Sequence, residues 1–130
     1  MKILLADDEK INLLSASKLL ENRGHTVVTA VNGLQVLNLL KDQAFDCIVL
    51  DIEMPILNGL ETAKQIQDSS VFGDKSKTPI IAMTGHSFKD SKEDFEKAGI
   101  KHYVSKPFDI EDLVQTIEKS TSSNLYRKSI

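Results

Sequence analysis

Five short apolar runs alternate with longer stretches of helical period, and this alternation constrains the fold more than any other feature of the chain. Residues 3–6 (Ile3-Leu4-Leu5-Ala6) read as a buried strand, followed by a helix over about residues 10–23 that closes at Gly24. Residues 26–30 are short and β-branched, hence a strand, and Asn32-Gly33 turns the chain into a helix to about Asp42. Residues 47–50 form the most apolar stretch and predict a central strand, with a helix over about residues 59–67 after Met54-Pro55. Residues 79–83 make a fourth strand, and residues 88–98 a helix ending at Gly99. A short fifth strand over residues 102–104 precedes a final helix over residues 109–119, with Asp109 as its N-cap. Residues 68–78, rich in Ser, Lys and Asp, predict the one long loop. Residues 1–120 therefore form the domain, and residues 121–130 are expected to be a frayed tail or linker remnant.

Five β-α units in this order predict an α/β fold, a parallel sheet covered by helices on both faces. Right-handed crossovers leave few topologies, and the flavodoxin-like doubly wound (βα)5 sandwich of strand order 2-1-3-4-5 is the expected one. At 130 residues the chain suits a single domain that needs no disulfide or metal to fold. Its single cysteine, Cys47, excludes an intramolecular disulfide and a cysteine-based zinc site. No apolar run approaches the ~18–20 residues of a membrane span, and the first one stops at Asp7-Asp8-Glu9, too early for a signal peptide. A net charge of −3 argues against direct nucleic-acid binding, and with the cysteine usage it points to the cytoplasm.

In such a sheet a ligand binds beyond the carboxyl ends of the strands, where the winding reverses between strands 1 and 3. The residues there carry chemistry. Strand 1 runs into Asp7-Asp8-Glu9, strand 3 into Asp51 with Glu53 two residues on, strand 4 into Thr84-Gly85, and strand 5 into Lys106-Pro107. Any one of these suits a helix cap, a turn or a solvated charge; four strand ends that supply the parts of one site are a different matter. Carboxylates held this close raise one another's pKa unless a cation sits among them. Oxygen ligands with one or two carboxylates and several waters describe Mg²⁺, for which Mn²⁺ can substitute. Lys106 adds a fixed positive charge, as a phosphoryl site needs.

Asp7-Asp8, Asp51-Ile52-Glu53-Met54-Pro55, Thr84-Gly85 and Lys106-Pro107-Phe108 together resemble the response-regulator receiver domain of two-component signalling, over about residues 2–120. The resemblance implies that Asp51 accepts a phosphoryl group from a phosphohistidine, carried by a histidine kinase dimerisation domain or a phosphotransfer domain. It implies that Asp8 and Asp51 ligate Mg²⁺ directly, Asp7 mainly through water, and Glu53 through its backbone carbonyl. Thr84 and Lys106 would contact the phosphoryl oxygens, and the Lys106–Pro107 peptide would be cis. Thr84 and Tyr103 match the switch pair that moves the surface of the helix after strand 4, strand 5 and the last helix. Tyr103 as a partly exposed strand residue is the plainer alternative. Glu53 and His86 occupy the positions that tune dephosphorylation. Such a module is not a conventional enzyme by itself: it phosphorylates and slowly dephosphorylates its own Asp51.

Asp8-Glu9-Lys10-Ile11-Asn12, Gly59-Leu60-Glu61-Thr62 and Thr84-Gly85-His86-Ser87 resemble receivers of hybrid histidine kinases, which places the chain in the cytoplasmic part of a sensor kinase. A stand-alone single-domain regulator is the alternative, and a homodimer on phosphorylation is allowed. In the first helix Leu13, Ala16, Leu19 and Leu20 form the stripe expected to face the sheet, while Ile11 and Leu14 point elsewhere. Ile11 and Leu14, with Pro107 and Phe108, are the expected partner-docking residues, scattered surface aliphatics being the alternative. His25 and His102 are expected to be surface or strand-edge residues rather than metal ligands.

An aspartate-nucleophile phosphohydrolase uses the same residue types, but that class carries Asp where Glu53 stands, and cap segments for which this chain has no room. A flavin-binding domain of the same fold needs a phosphate-cradling loop after strand 1, where acids stand here.

Overall fold

The computed structural model describes residues 1–85 and 92–129, with side chains through residue 122. The elements run β1 (Lys2–Ala6), α1 (Lys10–Asn22), β2 (Thr26–Ala30), α2 (Gly33–Asp42), β3 (Cys47–Asp51) and α3 (Gly59–Ile66). They continue with α4 (Ser69–Phe72), a 3-10 turn (Gly73–Lys77), β4 (Ile80–Thr84), α5 (Lys92–Lys97), β5 (His102–Ser105) and α6 (Ile110–Ser129). The strands are parallel in the order β2-β1-β3-β4-β5, as the alternation of apolar runs predicts.

Strand alternation divides the core into two layers. Leu4, Ala6, Ile48, Leu50, Ile80 and Ala82 face Val36, Leu37 and Leu40 of α2, Ala63 and Ile66 of α3, and Phe95 of α5. Ile3, Leu5, Cys47, Val49, Ile81 and Met83 face Leu13, Ala16 and Leu20 of α1, and Leu113 and Ile117 of α6. Every residue of β3 and β4 is buried, which is why their sequences show an unbroken apolar run. Local signals set the helix starts: the Asn32 side chain accepts from Gln35 N–H, and Asn58 and Glu61 form a reciprocal capping box. Most observed boundaries lie within a residue of the expected ones.

Three expectations are corrected. Leu19 is not part of the buried stripe of α1; it stands 44% exposed, and Ser17 is buried instead. At ~100° per residue Leu19 falls ~120° from Leu13, off the sheet-facing side. Residues 68–78 are not an open loop: Phe72 is buried, Asp68 caps α4 by accepting from Ser70 N–H, and Lys75 Nζ donates to the Leu40 and Lys41 carbonyls at the end of α2. The last helix does not stop near Lys119 but continues to Ser129. Nothing after Pro107 breaks it, since residues 108–130 contain neither Gly nor Pro, and the buried Ser120 and Thr121 satisfy their hydroxyls on the Ile117 carbonyl. No helix among the described residues is long and apolar enough to cross a membrane.

Candidate functional site

Asp7 and Asp51 occupy matching places at the carboxyl ends of the two strands that flank the winding reversal. Asp51 is the last residue of β3, and Asp7 follows β1 with its N–H still donating to the Ala30 carbonyl at 3.1 Å. Each carboxylate is aimed by a short local turn: Asp7 Oδ1 accepts from Glu9 N–H at 2.9 Å, and Asp51 Oδ1 from Glu53 N–H at 3.1 Å. Their second oxygens converge on one cation, Lys106 Nζ lying 2.9 Å from Asp51 Oδ2 and 3.2 Å from Asp7 Oδ2. Asp8 is exposed beside them, and the Asp7, Asp8 and Asp51 carboxylates bring oxygens within 4.8 Å of one another.

Lys106 is delivered from the far side by β5. Its N–H donates to the Thr84 carbonyl at 2.7 Å, and its peptide bond to Pro107 is cis. Thr84 ends β4 and is buried. The four strand ends singled out in the sequence thus meet at one rim.

The electrostatics follow from this packing. Burial pushes the Asp51 carboxyl up to about 6; the hydrogen bond and charge of Lys106 and the Glu53 N–H pull it down, and the neighbouring Asp7 adds to the rise. Burial lowers the Lys106 pKa, but the hydrogen bonds and charges of Asp51 and Asp7 outweigh that and hold its ammonium above the usual range. The pair is charge-assisted, and two acids share one base. A further cation is what would relieve the remaining carboxylate repulsion.

The other expected residues are placed less uniformly. The Glu53 side chain is exposed at the edge, and Tyr103 stands 45% exposed with its ring 6.4 Å from that of Phe95. His86 lies outside the described residues. Ile11 and Leu14 are 81% and 58% exposed, Pro107 is exposed and Phe108 half-buried. Between α1 and the segment after β5 a cleft of about 390 Å³ runs back from Asp7 and Lys106, lined by Leu13, Ala16, Leu19 and Phe108. His25 is occupied with the chain's N-terminal amine and His102 sits on β5, both away from the acids. Two residues were not foreseen: Gly59, whose missing Cβ makes room for the Asp51 backbone, and Ile56, which holds φ at 71°. Gly59 stood in a noted motif without a structural role, and a β-branched residue gives no sequence signal of positive φ.

A family model described as the response regulator receiver domain matches residues 3–118. The sensor protein GacS of Pseudomonas syringae pv. syringae is 31% identical over 120 residues, covering 92% of this chain, which spans only 13% of that protein's length. The polar-differentiation response regulator DivK of Brucella anthropi is 28% identical over 116 residues, covering 89% of this chain and 92% of DivK. Among solved structures, the receiver domain of the sensor histidine kinase PA1611 of Pseudomonas aeruginosa superposes with a TM-score of 0.83 at 26% identity, covering 93% of this chain and 97% of that one. That structure has a magnesium ion coordinated in its active-site cleft.

Proposed function

This chain belongs to the response regulator receiver domain family, and on that premise we propose that it is a signalling switch whose Asp51 accepts a phosphoryl group from a phosphohistidine on a partner protein. The single observation that carries the reading is the Lys106 ammonium, bound to both Asp51 and Asp7 at the carboxyl rim of the sheet. An Asp51 carboxylate oxygen attacks phosphorus, the P–N bond to the donor imidazole breaks, and an acyl phosphate forms that water later hydrolyses. Phosphoryl transfer asks mainly for in-line positioning and charge neutralisation, which fixed groups at a half-dry rim supply.

Asp7, Asp8 and Asp51 fit a hard divalent cation, since all three offer carboxylate oxygens in one cluster and the cluster holds more acids than Lys106 neutralises. Mg²⁺ bound there would offset the charge of the attacking carboxylate and the incoming phosphoryl group, with Asp8 and Asp51 as direct ligands, Asp7 through water and the Glu53 carbonyl completing the protein's share. Mn²⁺ would serve in its place. Lys106 holds a phosphoryl oxygen, and Thr84, at the end of β4, offers its hydroxyl to another.

The added charge then biases the surface formed by α5, β5 and α6. Tyr103, half-exposed on β5 and in contact with Phe95 of α5, is the side chain placed to turn inward when Thr84 moves. Glu53 and His86, two positions after Asp51 and Thr84 in the sequence, are the residues that set how long the mark lasts. Docking of the donor uses Ile11, Leu14, Pro107 and Phe108 beside the rim, and a second copy of the chain meets the switched face after phosphorylation.

Both a receiver within a hybrid sensor kinase and a stand-alone regulator have relatives of this kind, as GacS and DivK illustrate. We favour the first, with residues 1–120 as the receiver, residues 121–130 leading onward, and the whole on the cytoplasmic side.

Beryllofluoride, which mimics a phosphoryl group on a carboxylate, tests the site. With Mg²⁺ it should shift the amide resonances of Asp51, Thr84, Lys106 and the β5–α6 face in the wild type and leave Asp51→Asn unchanged. Multiple turnover of a small phosphomonoester would instead favour a phosphohydrolase.

A further inference from the structure

The cleft that runs back from Asp7 and Lys106 joins an apolar interior to a charged mouth. Its floor is Leu5 of β1 and Met83 of β4, both buried in the sheet, and its sides are α1 and the segment that follows β5. An opening of about 390 Å³ that reaches the sheet between apolar walls has the size and depth of a small-molecule site. Leu19 belongs to it. That residue stands 44% exposed and adds nothing to the buried stripe of α1, yet it lines the cleft together with Asn12 and Ser15. Spacings of three and four residues set the three along one side of the helix, polar at the mouth and apolar deeper in.

The mouth selects the charge of an occupant. Asp7, Asp8 and Asp51 bring three carboxylates there against the single ammonium of Lys106. A cleft with low-dielectric walls focuses that excess, which repels an anion and draws a cation. The mouth also selects the shape of the cation. Asn12 spends its amide hydrogen on Glu9 Oε2 at 3.1 Å, and no donor among the described residues reaches its carbonyl oxygen. A carboxylate oxygen and an amide oxygen on one lip suit a flat group with several N–H donors, as an amidinium or guanidinium presents.

We propose that this cleft binds a small organic cation, an amidinium or guanidinium carried on an aromatic or branched apolar body. The head group sits at Asp7 and Asn12, and the body lies on Leu13, Leu19 and Phe108. A divalent ion in the acidic cluster answers the same excess of negative charge, so the organic cation and the metal compete. The consequence rests on the reading of Asp51 as a metal-dependent phosphoacceptor: an occupied cleft keeps the chain unphosphorylated, and the ligand is an inhibitor of the switch.

The test titrates three probes of one shape and different charge, followed by the methyl resonances of Leu5, Leu13, Leu19 and Met83 in metal-free buffer. Cationic benzamidine should bind with a Kd below about 1 mM. Neutral benzamide should bind at least about tenfold more weakly, for want of a charge-assisted bond, and benzoate should not bind. Ser15 is exposed, so its variants keep the fold: Ser15→Glu should tighten benzamidine about threefold and Ser15→Lys weaken it about as much. Leu19→Ala, which thins the apolar wall, should weaken all binding about threefold. Mg²⁺ at about ten times its own Kd should raise the apparent Kd of benzamidine about tenfold. Benzamidine should also slow labelling of Asp51 by acetyl phosphate and Mg²⁺. No saturable benzamidine binding, equal binding of benzamide, or indifference to both Ser15 variants overturns the site. Binding that Mg²⁺ leaves unchanged overturns the competition. A wild type that acetyl phosphate does not label even without benzamidine refutes the reading of Asp51, and the inhibitory role with it, while the titrations still decide the site.

Discussion

A Cβ built on Gly59 would lie 2.5 Å from the carbonyl oxygen of Asp51 and 2.7 Å from the Cα of Ile52. The first turn of α3 therefore rests directly on the backbone that ends β3, and the Gly59 N–H reaches the Ile52 carbonyl at 2.9 Å. Glycine is required here for space, not for an unusual φ. The neighbours in the way are main-chain atoms, which cannot swing aside as the tip of a side chain would.

Gly59→Ala should accordingly destabilise the fold by about 1–3 kcal/mol, the range of overpacked interior sites. The urea midpoint reads this directly. The same variant should take up a phosphoryl group from acetyl phosphate more slowly, because Asp51 moves with its own carbonyl. A midpoint equal to the wild type would show that α3 shifts freely away from the site.

The raised pKa of Asp51 predicts a stability that depends on pH. Its folded value is about 6 against an ordinary 3.8, so the folded state binds the proton more tightly than the unfolded chain does. That contribution is fully present below the unfolded pKa and is lost as pH rises through about 6. Asp51→Asn removes the ionised group. In chelator-treated buffer at pH 7.5 it should therefore be more stable than the wild type by up to about 3 kcal/mol, less where water at the rim screens the charge. The difference should shrink as pH falls below 6 and nearly vanish near 4. Equal urea midpoints for the two proteins at both ends of this range would contradict it.

Lys106→Met keeps the length of the side chain and deletes the charge shared by Asp51 and Asp7. The two carboxylates then face each other without their ammonium, which raises the proton affinity of Asp51 further. Removing one preorganised charge from a phosphoryl site costs on the order of 10²–10³ in rate. Labelling by acetyl phosphate, followed by intact-protein mass, should fall by about that factor. Labelling at the wild-type rate would place the neutralising charge elsewhere.

Cys47 lies on β3 in the core layer beneath α1 and α6, fully buried, with its thiol pushed up to about 12, chiefly by that burial. An aromatic disulfide reagent at pH 8 should leave it unmodified in the native state and react only as the chain opens. Its rate then serves as a probe of unfolding for all the variants above. Rapid modification of native protein would contradict the packing of β3.

The parts of this molecule that were legible from sequence are those with a local signature. β3 and β4 announce themselves because they are buried on both faces, and Asp7, Asp51, Thr84 and Lys106 because each closes or follows a strand whose end the apolar pattern marks. What stayed hidden depends on contacts between distant segments. Leu19 reads as core until the sheet-facing side of α1 is fixed by Leu13 and Leu20. The fold of residues 68–78 rests on Phe72 finding the core and on Lys75 reaching the end of α2, 35 residues away for Leu40. The length of α6 depends on Ser120 and Thr121 being covered, which their polarity hides. Ile56 was invisible for the opposite reason: its residue type argues against the backbone it holds.

The most direct test of the central claim is the intact mass of the protein after incubation with acetyl phosphate and Mg²⁺. The wild type should gain one phosphoryl group that borohydride reduction traces to Asp51, and that chelation of the metal beforehand prevents. Asp51→Asn should gain none. A wild type that gains no phosphoryl group, or gains it equally in Asp51→Asn, would contradict the account.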